Sequence, residues 1–399
     1  MGRVNMRALI DRLQRQGMAS RAELAKLLGM SQPTAGKICD ILLRMGVLEE
    51  VDPGEVERHF QSRATGTASR IGRPGRMLRL DRSRPRFLAI ELGVTRTSTA
   101  LLPVGVDQVD CWSHSVSTGG SAAEWLSRLQ AAASHMEQKE FWGILVSVPG
   151  IVDEAAGRVV FSANLHWTEE ADLPGLIRNV WDAPVILVQE ERALALGHRY
   201  FDPSAEDFLL VDVGDGVGGA IIVSGRLYAT PLSISGELGH TRVLGNERLC
   251  GCGNVGCLET LLSIGGLLRS YAAECGRESV TWQEMADHIA ERGVEPWLAA
   301  TLDAAGVVIA GALNVLGLRR VIITGSLREL APPVMAHLAS AIVHGAMWAR
   351  FGEVEVESAP RCRMAGLVAV AIDRLVLPMA DRGKNPNSSA AVAAAYEAF

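Results

Sequence analysis

Four soft donor side chains crowd into one stretch of this 399-residue chain. Cys250, Cys252 and Cys257 fall within eight residues, and His240 lies ten positions before the first of them. Three thiolates and one imidazole make a full tetrahedral shell for zinc, with no position left for water. The chemistry they suit is therefore structural rather than hydrolytic. Gly251, Gly253 and Gly256 allow the backbone to curl tightly enough for closely spaced thiolates to reach one ion. The competing reading is three reduced cysteines in a glycine-rich turn.

Two carboxylates share the stretch. Glu237 precedes His240 by three residues, and Glu259 follows Cys257 by two. A bound ion would fix their backbones and leave their side chains free. Carboxylates beside an imidazole suit hydrogen bonds to adjacent hydroxyls of a sugar, and His240 can give one ring nitrogen to metal and the other to ligand. Two solvated surface glutamates would look the same at this level.

The elements that must hold these residues come from the rest of the chain. Its length predicts two or three domains, and 48% hydrophobic residues suffice for substantial cores. No run of apolar residues reaches membrane-spanning length, and M-G-R-V-N-M-R has no apolar signal core, which predicts a soluble, cytoplasmic protein with no membrane partner. Seven cysteines with a metal-type cluster fit a reducing compartment, with Cys39, Cys111, Cys275 and Cys362 as ordinary buried thiols. The net charge of −6 is uneven: residues 1–86 hold 17 Lys and Arg against 9 Asp and Glu, the remainder 22 against 36. A basic head on an acidic body points to a nucleic-acid reader.

In the head, Met6, Leu9, Ile10 and Leu13 stripe a helix from about Asn5 to Gln16. Ser20 and Glu23 form a capping box for a second helix, which Gly29 ends. Ser31 caps a third, with Pro33 in its first turn. The second and third helices read as a helix-turn-helix whose outward residues Ser31, Gln32, Thr34 and Lys37 would reach bases and phosphates of operator DNA. A packing or dimerising three-helix bundle is the alternative. The strand G-V-L-E-E-V and a return through G-R-P-G-R-M-L-R-L predict a wing. Arg70, Arg73 and Arg76 lie near its turn, suited to a narrow minor groove. Arg79, Arg82, Arg84 and Arg86 read as a solvated basic linker. The expected divisions are a winged head at 1–80, a linker at 81–86, a body at 87–379 and a flexible tail at 380–399.

From Phe87 strands and helices alternate, with hairpins opening two halves, which predicts an α/β body of two lobes around a cleft. Glycine turns at Gly93, at 214–219 and at Gly325 follow strands and could meet phosphates, although hairpin turns look the same.

These motifs together resemble the ROK family of repressors and sugar kinases, over nearly the whole chain. E-L-G-H at 237–240 is similar to the family's E-x-G-H sugar signature, and C-G-C-G-N-V-G-C-L-E at 250–259 to its zinc signature. V-P-G-I-V-D at 148–153 and N-L-H-W at 164–167 resemble the segment carrying its sugar-contacting asparagine, here Asn164. The head and its G-R-P turn resemble the repressor branch, such as xylose and N-acetylglucosamine repressors. The resemblance implies an actin-like (RNase H-like) body, structural Zn2+, a homodimer or homotetramer, and a sugar pocket of Asn164, Glu190, Glu237, His240 and Glu259.

Departures from the kinase branch are equally specific. Where kinases begin D-x-G-G-T, this chain has E-L-G-V-T at 91–95, and Val94 adds a Cβ on the phosphate path. Gln189 and Glu190 stand at the kinases' Asn-Asp pair, so the carboxylate of the base is displaced by roughly an ångström, which can cost on the order of a hundredfold in rate. Asp215 puts a carboxylate where ATP phosphates would lie. T-G-S at 324–326 lacks the usual paired glycines. The expectation is a sugar-responsive repressor with no catalytic residue beyond a vestigial base, Glu190. An active sugar kinase with a regulatory head, or a repressor answering to a protein effector, are the alternatives.

Overall fold

The computed structural model describes residues 2–56, 76–107, 109–136, 138, 140–228, 230 and 232–381. Helix α1 (Arg3–Gln16) buries Met6, Leu9, Ile10 and Leu13, the residues that a 3.6-residue turn stacks on one side. Helix α2 (Arg21–Leu27) starts with the expected capping box: Ser20 Oγ accepts the Glu23 N–H at 3.2 Å, and Glu23 accepts the Ser20 N–H at 2.8 Å. Helix α3 (Gln32–Met45) is capped by Ser31 and stopped by left-handed Gly46. Strands β1 (Ala19–Ser20), β2 (Leu48–Glu50) and β3 (Met77–Leu80) form an antiparallel sheet in the order β1-β3-β2. Arg70 and Arg73 fall in 57–75, outside the described residues.

The arginines expected to be solvated are instead engaged. Arg79 donates to Glu49 at 2.7 Å and also pairs with Glu55, while Arg82 reaches Asp107 at 3.2 Å. Arg84 pairs with Asp81 at 3.0 Å. Arg86 lies over the Trp142 ring at 4.6 Å. Asp81 is fully buried. Ser83 and Arg84 donate to its carboxylate and hold it below the usual range despite burial. Arg79 and Arg86 are thus largely buried, Arg82 and Arg84 stay partly exposed, and Arg82–Asp107 and Arg86–Trp142 tie the linker to the body.

The body repeats one arrangement twice. In the first lobe the sheet order is β10-β7-β4-β5-β6, with β6 at His114–Ser117, and in the second β13-β12-β11-β14-β15, with β13 at Arg226–Leu227; β8 (Ile151–Asp153) and β9 (Arg158–Phe161) pair separately. Each opens with an antiparallel hairpin, β4 (Phe87–Leu92) with β5 (Arg96–Leu102) and β11 (Phe208–Val213) with β12 (Val217–Val223). Each then adds two parallel strands: β7 (Gly143–Val148) and β10 (Val185–Gln189), or β14 (Arg320–Gly325) and β15 (Glu355–Ser358). The strand ends after which both lobes turn are therefore carboxyl ends, where open α/β sheets place ligands.

Helix Glu190–Phe201 follows β10, and helix Arg363–Ala371 lies across it. Glycines make that contact: a Cβ on Gly366 would lie 1.7 Å from the Ala193 carbonyl, and one on Gly197 1.7 Å from that of Cys362. The last helical stretch is long and irregular. It passes through a π turn at Ile372–Val376 and runs on to Leu377–Asp381, with Ala380 buried, beyond the boundary placed at 379.

Two expectations need correction. Helix Pro296–Leu316, 21 residues, is long and apolar enough to cross a membrane by length and composition. It is also the core helix of the second lobe, burying Leu298, Leu302, Ala305, Ile309 and Leu313. Burial in a lobe core demands the same composition as a membrane. Cys39 and Cys362 are buried, but Cys111 and Cys275 are exposed, because both lie outside the sheets' packed faces.

Candidate metal centre and adjoining cleft

Between β12 and the helix at Glu259–Leu262 the chain has little regular structure, and two isolated bridges, Arg242 to Cys257 and Leu249 to Val255, fold it onto itself. Gly253 and Gly256, both at φ +90°, make the reversals that a Cβ would oppose. This brings together the ligand atoms of His240, Cys250, Cys252 and Cys257, all within 4.8 Å of one another. Cys250 Sγ lies 3.6 Å from His240 Nδ1, and Cys252 Sγ lies 3.7 Å from Cys257 Sγ. A tetrahedron with metal–sulfur bonds of about 2.3 Å has edges of about 3.7 Å. The four donors could hold a metal ion, and burial without one pushes the Cys257 thiol up to about 12.

His240 turns its other nitrogen outward, with Nε2 3.7 Å from Glu237 Oε2. That side faces a cavity of about 310 Å³ between the lobes. All five residues expected to hold a sugar line it: Asn164, Glu190, Glu237, His240 and Glu259. The metal loop abuts the asparagine segment, since a Cβ on Gly251 would stand 2.6 Å from the Ala163 carbonyl and 3.4 Å from Asn164 Oδ1. Glu259 Oε2 accepts the Val217 N–H at 3.0 Å, tying the metal loop to the second-lobe hairpin. Burial, then the nearby Glu259 charge, raises Glu237 to about 7.

The opposite wall is strongly ionic. Burial and then Asp212 raise Glu190 to about 7, and Glu191, buried beside it, is raised well above the carboxylate range. Gln189 donates to Glu191. Val94 and Asp215, two of the departures from the kinase pattern, line the same cavity.

Sequence reasoning missed two arginines here. Arg361 donates to both oxygens of Asp212, at 2.8 and 2.7 Å, and Thr324 donates to the same carboxylate at 2.7 Å. Arg363, buried, pairs with Glu91 and lies 3.5 Å from Glu190. Burial lowers Arg363 to about 10. The only signal along the chain was R-C-R before an apolar helix; β15 carries it from the far end of the sequence to the cleft.

On the head, Ser31, Gln32 and Lys37 are exposed and Thr34 is half-buried. Ser31 and Thr34 hydroxyls are 2.8 Å apart, so both serve the helix cap. Arg76 is exposed and donates to Glu50 at 3.0 and 2.9 Å.

The family pattern of ROK proteins matches residues 87–368. The chain belongs to the ROK family. It is 28% identical to the xylose repressor of Caldicellulosiruptor bescii over 258 residues, 62% of this chain and 61% of that protein. With the xylose repressor of Bacillus subtilis it shares 24% identity over 349 residues, 85% and 86% of the two chains. A kinase relative is more distant: the glucokinase of Halalkalibacterium halodurans, 26% identical over 192 residues, 46% and 58% of the two chains. Among solved structures, a ROK family transcriptional regulator, a homologue of the E. coli MLC protein, superposes with a TM-score of 0.71 at 20% identity, covering 95% and 99% of the chains. A ROK family glucokinase from Streptomyces griseus, in complex with glucose and AMPPNP, superposes at 0.58 and 20% identity, covering 71% and 97%. These structural likenesses show the fold: an actin-like two-lobed body behind an N-terminal helical region.

Proposed function

We propose that this chain is a sugar-responsive DNA-binding repressor of carbohydrate uptake or catabolism genes, acting in the cytoplasm. One observation carries the reading. One cleft is lined both by Asn164, Glu237, His240 and Glu259, which would bind a sugar, and by Asp215 and the Arg361–Asp212 pair, which a phosphate tail would have to pass. Triphosphate would meet the Asp215 carboxylate and an Arg361 already paired with Asp212. Zn2+ is the ion the four donors suit. It would stiffen the loop that presents Glu237 and Glu259 and would take no part in chemistry.

In this reading α2 and α3 form a helix-turn-helix, with Ser31, Gln32, Thr34 and Lys37 at the major groove and Arg73 and Arg76 on the wing. A homodimer or homotetramer would pair two such heads. Val307, Val315, Met347 and Phe351, exposed at 71, 87, 55 and 75%, give the second lobe an apolar face that a second copy would cover. Gel-shift titration against DNA selected from a genomic library, with a panel of sugars, tests the reading. Sugar-dependent loss of a salt-sensitive complex is expected; no DNA binding under any condition overturns it.

A second reading, sugar phosphorylation, draws on one feature: Glu190 lines the cleft with an affinity for protons near neutrality, as a general base requires. ADP release with hexoses would support it, and its absence with bound sugar would exclude it.

A further inference from the structure

The proposed function leaves open how a cleft in the body reaches the head. We propose that the segment 361–381 is the transmission element, and that the Arg7–Asp373 ion pair is where it engages the reader. The inference rests on the sugar-responsive reading and adds its route.

The segment touches every part that must communicate. Arg361 grips β11 of the second lobe through Asp212, and two residues on, Arg363 grips β4 of the first lobe through Glu91 and lies beside Glu190. A change in lobe separation therefore pulls on both ends of a three-residue strap. From Arg363 the helix rides in backbone contact on helix Glu190–Phe201, whose first residues line the cleft. At Gly366 and Gly197 backbone meets backbone with no side chain between, and Met364, Leu367 and Val368 pack around these points with Ala193 and Leu196, so a shift of one helix is passed to the other.

The π turn at Ile372–Val376 comes next; such turns are frequent at functional positions. Its two charged residues part company. Arg374 donates to Glu154 at 2.6 Å, and Glu154 in turn accepts the Gln189 N–H at 3.2 Å and Arg192 Nε at 3.0 Å, at the N-terminus of the cleft helix. Asp373 pairs with Arg7 of α1. Beyond the turn Leu377, Met379 and Ala380 share one apolar cluster with Leu9, Leu13 and Met45 of the head. One side of the turn thus holds the cleft and the other holds α1, and α1 shares its core with the recognition helix. Two sites coupled in this way need an element that both of them bias, and the turn is that element.

Full-length Asp373→Asn and Arg7→Gln are compared with wild type by DNA anisotropy, with D-xylose, D-glucose and N-acetyl-D-glucosamine as probes. The ion pair is partly exposed, so both variants should fold, and thermal scans check this. The wild-type response to the active sugar is expected to be about tenfold in DNA affinity. In either variant it should fall below about twofold, while sugar affinity by calorimetry and sugar-free DNA affinity stay within about threefold. A merely structural ion pair would weaken DNA binding and leave the response ratio intact. Arg7→Asp with Asp373→Arg should restore part of the response. Hydrogen exchange in wild type should change on sugar addition in 364–381 and in α1. Full responses in both single variants, or exchange changes confined to the cleft, overturn the proposal. If wild type responds to no sugar, the sugar-responsive reading falls first and takes this route with it.

Discussion

Replacing Glu190 by Gln should reverse part of the protein's pH dependence. Burial and Asp212 raise this carboxyl from 4.5 to about 7. The folded state therefore binds the proton more tightly than the unfolded state. The stability tied to it is fully present below pH 4.5 and is lost as pH rises to about 7. At 1.36 kcal/mol per tenfold change, that rise corresponds to about 3 kcal/mol. A quarter of the side chain still meets solvent, so about 2–3 kcal/mol is the expected size. Glutamine keeps the shape and removes the charge, and Arg363 keeps Glu91 as its partner. Urea unfolding at pH 5, 6, 7 and 8 measures the difference. The stability gap between Glu190→Gln and wild type should widen in favour of the variant by that amount from pH 5 to 8. Parallel profiles would refute the reasoning, because Glu190 would then titrate alike in both states.

Cys257→Ser should lower metal content after mild chelation to below about half of one ion per chain, with a lower melting temperature, since a structural site couples binding to folding; elemental analysis of wild type without metal would contradict the site itself. Gly366→Ala would press a Cβ onto the Ala193 carbonyl and should cost about 3 kcal/mol or more in urea unfolding; an unchanged midpoint would mean the two helices do not touch. Lys37→Ala should weaken DNA binding about equally across sequences and reduce the salt slope by about 1, whereas an unchanged slope would place Lys37 away from phosphate.

The donor cluster was legible because its geometry is local: thiols two and five residues apart, with glycines between them, can meet only by curling the loop. That Asn164 and Glu190 line the same cavity as Glu237 was legible only by family resemblance, since no spacing joins them. Arg361 and Arg363 were not legible at all. Their partners Asp212 and Glu91 lie 149 and 272 positions away, on two different sheets, and only the parallel placement of β15 brings them in. The same holds for Arg79 and Arg86, which looked like linker charge until Glu49 and Trp142 were found beside them. Helix Pro296–Leu316 shows the converse limit, because an apolar 21-residue run reads alike for a lobe core and a bilayer.

The claim that the cleft senses sugar without transforming it is tested most directly by adding sugar, with Mg-ATP present, to a preformed complex with selected DNA and following anisotropy while the sugar is recovered and weighed by mass spectrometry. The account predicts release of the DNA and recovery of the sugar at its original mass. DNA still bound, with the sugar recovered as its phosphate, would contradict it.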